Sequence, residues 1–190
     1  MSALAETLRS VAGVLDAWVN EGRCEGWYVF GAQAVSLRGA PRTTQDLDIT
    51  VALRADLATE LLAALEAAGL RHRHPSAVES LLVRASILPM VHPSGMELDV
   101  VMAGSGLERL ALERSETLVV EGVEVPVALA TDLVIMKILA GRGKDMDDVR
   151  ALLAGGEVDV GEVRSLLAQL DAALERSDLR EAFERLLLPE

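Results

Sequence analysis

The chain has 190 residues, with 30 Asp/Glu against 18 Lys/Arg and a formal net charge of −12 at pH 7. That balance excludes a nucleic-acid binder that relies on a basic surface, and no apolar run approaches the ~20 residues of a membrane span. Hydrophobic residues make up 51% but aromatics only 3%, so one Ala- and Leu-rich, helix-rich domain, or one domain with a helical appendage, is expected. The single Cys24 excludes an intramolecular disulfide. No basic segment followed by an apolar one opens the chain, so a cytoplasmic location without membrane contact is the expectation.

Residues 2–20 carry Leu4, Leu8, Val11, Val14, Leu15 and Trp18, the spacing of an amphipathic helix that covers a sheet. The next stretch, Tyr28 to Val51, organises the rest. An apolar run from Trp27 to Phe30 meets Gly31, a short helical pattern (Ala32, Ala34, Val35, Leu37) follows, and a Gly39/Pro41 turn leads to Asp46-Leu-Asp48 and a second apolar run, Ile49 to Leu53. This reads as strand, tight turn, helix, turn, strand. Residues two apart in a strand share a face, so Asp46 and Asp48 project side by side while Leu47 faces the other way. Two carboxylates held that close repel unless a cation lies between them, and an oxygen-only pair suits a hard ion such as Mg²⁺, held together with substrate phosphates. The Gly31 turn offers backbone N–H groups at a strand-to-helix junction, where a phosphate is favoured. Each feature alone is ordinary, since an Asp-x-Asp also serves as a solvated strand start. Their ordered spacing, with Arg42 and Thr43-Thr44 between them, carries the reading.

Asp56 to Ala68 repeats the helical pattern and stops at Gly69, a C′ residue. Arg71-His-Arg-His74 is a small basic cluster with no third ligand of matching type for a metal, and reads as a solvated strand edge. Leu81 to Leu88 and Met96 to Met102 read as a hairpin around His92-Pro-Ser-Gly95. In its second strand Glu97 and Asp99 share one face, either as the wet side of an edge strand or as functional carboxylates that need a partner. A second hairpin, Thr117 to Val120 and Val123 to Leu129, turns at Glu121-Gly122. Thr131 is placed as the N-cap of a helix from Asp132 to Ala140, a second helix covers Lys144 to Leu153, and spaced leucines give helices over Val160 to Leu170 and Leu179 to Leu188. Lys144 and Asp148, four apart, suit a surface ion pair, and Lys137 a solvated side chain. The acid is concentrated late: residues 22–94 carry seven cations and seven anions, and residues 95–190 ten against twenty.

Three ordered motifs carry a resemblance. Gly31-Ala-Gln-Ala followed by Arg42-Thr-Thr-Gln-Asp-Leu-Asp48 resembles the signature of the DNA polymerase β-like nucleotidyltransferases, in which a Gly-Gly or Gly-Ser turn precedes an Asp-x-Asp metal pair. Asp132-Leu-Val-Ile-Met-Lys137 and Arg142-Gly-Lys-Asp-Met-Asp-Asp148 are similar to motifs of the AbiEii-like nucleotidyltransferase toxins of type IV toxin–antitoxin systems. The resemblance implies an α+β (α/β) nucleotidyltransferase fold, a small mixed or antiparallel sheet flanked by helices, with a catalytic domain over 1–129 and a helical region over 130–190. It implies a Mg²⁺-dependent transfer of a nucleoside monophosphate from an NTP to an acceptor hydroxyl, on a tRNA 3′ end or a protein side chain, with a cognate toxin or antitoxin as partner and no DNA. Asp46, Asp48 and Asp99 become catalytic metal ligands, Asp99 also deprotonating the acceptor. Gly31, Ala32, Arg42, Thr44, Lys137, Arg142, Lys144, Asp145 and Asp148 become the nucleotide side of the pocket. Ala32 departs from the Gly or Ser of the family pattern, and weakened nucleotide binding through backbone groups alone is expected. The alternatives are a small-molecule (antibiotic) nucleotidyltransferase and a non-catalytic interaction module or antitoxin of the same fold.

Overall fold

Residues 2–39, 44, 46–104 and 106–188 are described in a computed structural model of the chain. It divides into two units, Met1–Gln33 with Thr43–Ala128, and Ala34–Arg42 with Leu129–Glu190.

The first unit is built on a seven-stranded mixed sheet: β1 (Cys24–Phe30), β2 (Asp46–Leu53), β3 (Arg71–His72), β4 (Ile87–Val91), β5 (Glu97–Met102), β6 (Glu116–Val120) and β7 (Val123–Val127), in the order β3-β4-β5-β2-β1-β7-β6. β1 and β2 run antiparallel, β2 and β5 parallel, and β5 and β4 antiparallel. One face of the central strands is a continuous apolar layer: Trp27 and Val29, Leu47, Ile49 and Val51, Leu98 and Val100, and Leu88 and Met90 are all buried. The amphipathic helix α1 (Ala3–Asn20) covers that side, with Leu8, Val11, Leu15 and Trp18 buried and Asp16 accepting the Trp27 indole N–H at 2.8 Å. Burial of each such aliphatic side chain contributes on the order of 1.5–3 kcal/mol. Period-two alternation then forces Asp46, Asp48, Glu97 and Asp99 onto the opposite face.

Helix α2 (Gly31–Leu37) follows β1 directly, and α3 (Ala58–Ala67) ends with Gly69 in the left-handed region, the expected C′ residue. One sequence expectation is corrected here, and one element is added that the sequence reading did not contain. Val78–Ala85 forms a helix, α4, so the strand expected from Leu81 begins only at Ile87, after Ser86 adopts a left-handed conformation. A further helix, α5 (Gly106–Arg114), precedes β6.

The second unit holds α6 (Ala130–Ala140), α7 (Gly143–Gly155), α8 (Val160–Ala173) and α9 (Leu179–Leu187). The N-cap of α6 is Leu129; Thr131 lies inside the helix, and its hydroxyl accepts the backbone N–H of Asp159 at 2.9 Å. Asp159 in turn caps α8, and Asp171 accepts the backbone N–H groups of Leu179 and Arg180 at the start of α9. Leu179 and Phe183 anchor α9 in this unit's core. Among the described residues no helix is long and apolar enough to cross a membrane.

Candidate functional site

The register of β2 against β5 builds the site. Asp46 pairs with Glu97 and Asp48 with Asp99, so four carboxylates stand in two adjacent rows on one sheet face. The strand they share is interior to the sheet, between β4 and β2, so the edge-strand alternative for Glu97 and Asp99 does not hold. The rows continue outward. Val91 faces Glu97 and Arg71 faces Val91; Pro89 faces Asp99, and its carbonyl accepts the Arg73 N–H at 2.8 Å. On the other side Phe30, the last residue of β1, faces Asp48.

Gly31 explains how Asp48 is seated. Its φ is +69°, a region L side chains rarely adopt, and a Cβ placed there would lie 1.9 Å from Asp48 Oδ2. The turn must be glycine both for its backbone and for the room the carboxylate takes. Ala32 follows, half-buried, in a helix of only seven residues, so the local donors are those of the turn more than of an extended helix dipole. Thr44 ties down the start of β2: its hydroxyl accepts the Asp46 N–H at 3.3 Å. Arg42 lies outside the described residues.

The basic cluster is not a uniformly solvated edge. Arg73 bridges two carboxylates, Nη1 donating to Glu97 and Nη2 to Asp99. His72 points the opposite way and is only 5% exposed. Its Nδ1 accepts the His74 N–H at 3.0 Å, and burial, together with the neighbouring His74 charge, holds the imidazole below its usual pKa. The engagement of Arg73 is what sequence reading missed. Arg71 and Arg73 are two apart, as Glu97 and Asp99 are, but that spacing alone does not say which strand they face, and β3 itself ends at His72.

The second unit gathers the later motifs. Lys137 is buried, its side chain 7% exposed, and Nζ donates to Asp145 Oδ1 at 3.1 Å and pairs with Asp148 Oδ2 at 2.7 Å. Asp145 also accepts the backbone N–H of Arg142 at 3.2 Å and its Nε at 2.6 Å, closing the N-terminus of α7. Burial pushes the Asp145 carboxyl up, but the hydrogen bonds from Arg142 and Lys137 outweigh it and hold the group below the ordinary carboxylate range. The solvated reading of Lys137 and the surface pairing of Lys144 with Asp148 are therefore not what the structure contains; Asp148 turns to Lys137, and Lys144 is exposed.

Residues 8–186 match the family described as "Nucleotidyltransferase of unknown function (DUF6036)". The chain belongs to this family. No curated protein matches it in sequence. Among solved structures, an antigenic nucleotidyltransferase-like protein from Paracoccidioides brasiliensis is similar at 20% identity and a TM-score of 0.51, over 97% of this chain and 94% of that one. The antibiotic-resistance factor ANT(2'')-Ia is similar in solution at 16% identity and a TM-score of 0.57, over 92% of this chain and 97% of that one. A crystal structure of the same factor, in complex with adenylyl-2''-tobramycin, is similar at 16% identity and a TM-score of 0.50, over 93% of this chain and 96% of that one. At these identities the likeness is one of fold.

For this nucleotidyltransferase the donor set fits a hard divalent cation. Asp46, Asp48, Glu97 and Asp99 supply only oxygen from one sheet face, and Gly31 leaves room for the Asp48 carboxylate. Among the described residues no three His, Cys, Asp or Glu side chains are gathered closely enough to hold an ion as they stand, and Asp99 is engaged by Arg73.

Proposed function

We propose that this nucleotidyltransferase moves a nucleoside monophosphate from an NTP to a hydroxyl of a small molecule, with Mg²⁺ as cofactor. The observation that supports this best is the registered row of Asp48 and Asp99 beside a glycine turn that only glycine can make. Asp46, Asp48 and Asp99 would hold the cation. When bound there, Mg²⁺ would supply neutralisation of the charge on the triphosphate and on the reacting oxygens.

The chain's own groups then have separate tasks. Asp99 takes the proton of the acceptor hydroxyl at a carboxylate oxygen. As the acceptor O–P bond forms at the α-phosphorus, the bond to the β-phosphate oxygen breaks and pyrophosphate leaves. The Gly31 turn presents backbone N–H groups to the phosphates, Ala32 adding no hydroxyl, and Thr44 holds the start of β2 so that Asp46 keeps its place. In the second unit the resemblance gives Lys137, Arg142, Lys144, Asp145 and Asp148 a nucleotide-side role, and Arg42 another. Within the Lys137 network the part supported by contacts is to fix Asp145 and Asp148.

A small acceptor is favoured over RNA because residues 95–190 carry twenty acidic against ten basic residues, and phosphate contacts dominate RNA affinity. One structural relative, ANT(2'')-Ia, is found in complex with a small molecule, adenylyl-2''-tobramycin. The test is incubation with Mg²⁺, each NTP labelled at the α-phosphate, and a cell lysate separated afterwards into small molecules, RNA and protein. Label in the small-molecule fraction, with pyrophosphate released and both lost in Asp48→Asn, is the expected result. Label on tRNA or protein would replace the small acceptor with that of a toxin of the AbiEii-like kind. No label and no pyrophosphate with any fraction would leave an interaction module.

A further inference from the structure

We propose that Arg73 is a positioning residue that competes with the divalent cation for Asp99, so that the third carboxylate becomes a metal ligand only when the guanidinium gives it up. The inference rests on the Mg²⁺-dependent reading above and concerns a residue outside the motifs that led to it.

The geometry places Arg73 in the same row as the carboxylates. Arg73, the residue just after β3, donates its backbone N–H to Pro89, and across β4, β5 and β2 the row continues Pro89, Asp99, Asp48, while the next runs Arg71, Val91, Glu97, Asp46 from β3 to β2. Pro89 carries no N–H, and its carbonyl receives the Arg73 N–H, so the short edge strand β3 is tied at the residue that reaches toward Asp99. The guanidinium does not fork onto one carboxylate, as a purely structural bidentate pair would. It spreads one Nη to Glu97 and the other to Asp99, two residues apart on β5. Its Nε is buried without a hydrogen-bond partner. Leaving a donor unmade is costly, so the attraction to the two carboxylates is what holds the group in place. The pair is also partly shielded from water, with side-chain exposures of 24% for Arg73 and 34% for Asp99, so it is held more firmly than an open surface pair.

A single positive charge therefore bridges two carboxylates in the row where Asp99 stands beside Asp48. A divalent ion using Asp99 must displace that charge and is repelled by it until it does. By contrast Arg71, in the neighbouring row, is exposed and makes no such bridge among the described residues.

The experiment is direct titration of the full chain with Mn²⁺ in the absence of nucleotide, read by the electron paramagnetic resonance of the free ion. Arg73→Gln is expected to bind Mn²⁺ at least about fivefold more tightly than the native chain, the factor one unit charge a few ångströms away is worth even in water. In the Asp99→Asn background the same substitution is expected to gain markedly less, because only the through-space repulsion is relieved and no third carboxylate is recovered. An unchanged or weakened affinity in Arg73→Gln, or a gain just as large without Asp99, would overturn the role given to Arg73 while leaving the metal reading intact. No Mn²⁺ binding by the native chain and Arg73→Gln alike would overturn both. If Arg73→Gln does not fold, Arg73→Lys serves: it keeps the charge but spans only one carboxylate, and an affinity for Mn²⁺ above that of the native chain is expected, with no gain counting against the proposal.

Discussion

At Gly31 two requirements meet in one atom that is missing. The left-handed backbone there would cost a non-glycine residue about 1–2 kcal/mol, and a methyl group would occupy the space of the Asp48 carboxylate. Gly31→Ala is therefore expected to lower the denaturation midpoint slightly and to lower kcat/KM far more, by about a hundredfold, as misplacement of a reacting group by about an ångström does. Pyrophosphate release measured beside a melting curve separates the two effects; a folded variant with native activity would show that Asp48 need not rest on the turn. The Lys137 network is a different kind of residue-scale device. Removing the ammonium leaves Asp145 and Asp148 buried without their shared cation, and Lys137→Met should cost about 3–5 kcal/mol in urea unfolding. The sign of the pH effect follows from Asp145. Its carboxyl titrates below the usual range when folded, so its contribution is complete above the unfolded value near pH 4 and is lost as the pH falls through the folded value. Asp145→Asn should lower stability at neutral pH and flatten the acid limb of a stability–pH profile measured by denaturant midpoint.

Among the elements, those whose signal is local could be read from the sequence, and those fixed by distant partners could not. The period-two placement of Asp46 and Asp48, the amphipathic helix α1 and the α3 stop at Gly69 all follow from neighbours in the chain. The second hairpin also follows, but the first is only half right. Leu81-Leu-Val is too short an apolar run to distinguish strand from helix, and the spacing of Val78, Leu81, Leu82 and Ala85 is that of the α4 helix the chain adopts. Lys137 misled for another reason. α6 is apolar almost all round, with Leu133, Val134, Ile135 and Ile138 buried, so no wet face was left for the lysine. Arg73 required knowing that β3 pairs with β4 and β4 with β5, which no local pattern states. The α4 ending yields its own prediction. Ser86 closes the helix at φ 50°, ψ 40°, where a side chain is strained. Ser86→Gly relieves about 1–2 kcal/mol of that strain and gives back about 0.4–1 through the freer unfolded chain. A net gain up to about 1.6 kcal/mol, at about 2–4 °C in Tm per kcal/mol for a chain of this size, is expected by calorimetry.

Across the whole molecule the charge is uneven in a way that bears on the acceptor. Residues 22–94, which include the Gly31 turn, Asp46 and Asp48, balance seven cations with seven anions, while residues 95–190 carry an excess of ten acids. Counterion release is what gives nucleic-acid binding most of its free energy, and it needs several cations free to meet phosphates. Here many arginines are already committed to carboxylates: Arg54 to Asp56, Arg73 to Glu97 and Asp99, Arg109 to Glu25, Arg164 to Glu184 and Arg176 to Asp178. A polyanion approaching the late half would be repelled over roughly a Debye length, about 10 Å at 0.1 M salt, while a small acceptor, above all one bearing amines, would be attracted. The chain should therefore pass unretained through heparin below about 0.1 M salt, where surface electrostatics are at their strongest, and fluorescence anisotropy should detect no binding of total tRNA in the same buffer. Retention that weakens with a steep salt slope would mean that cations now paired are released to phosphate, and would return the tRNA 3′ end to first place as the acceptor.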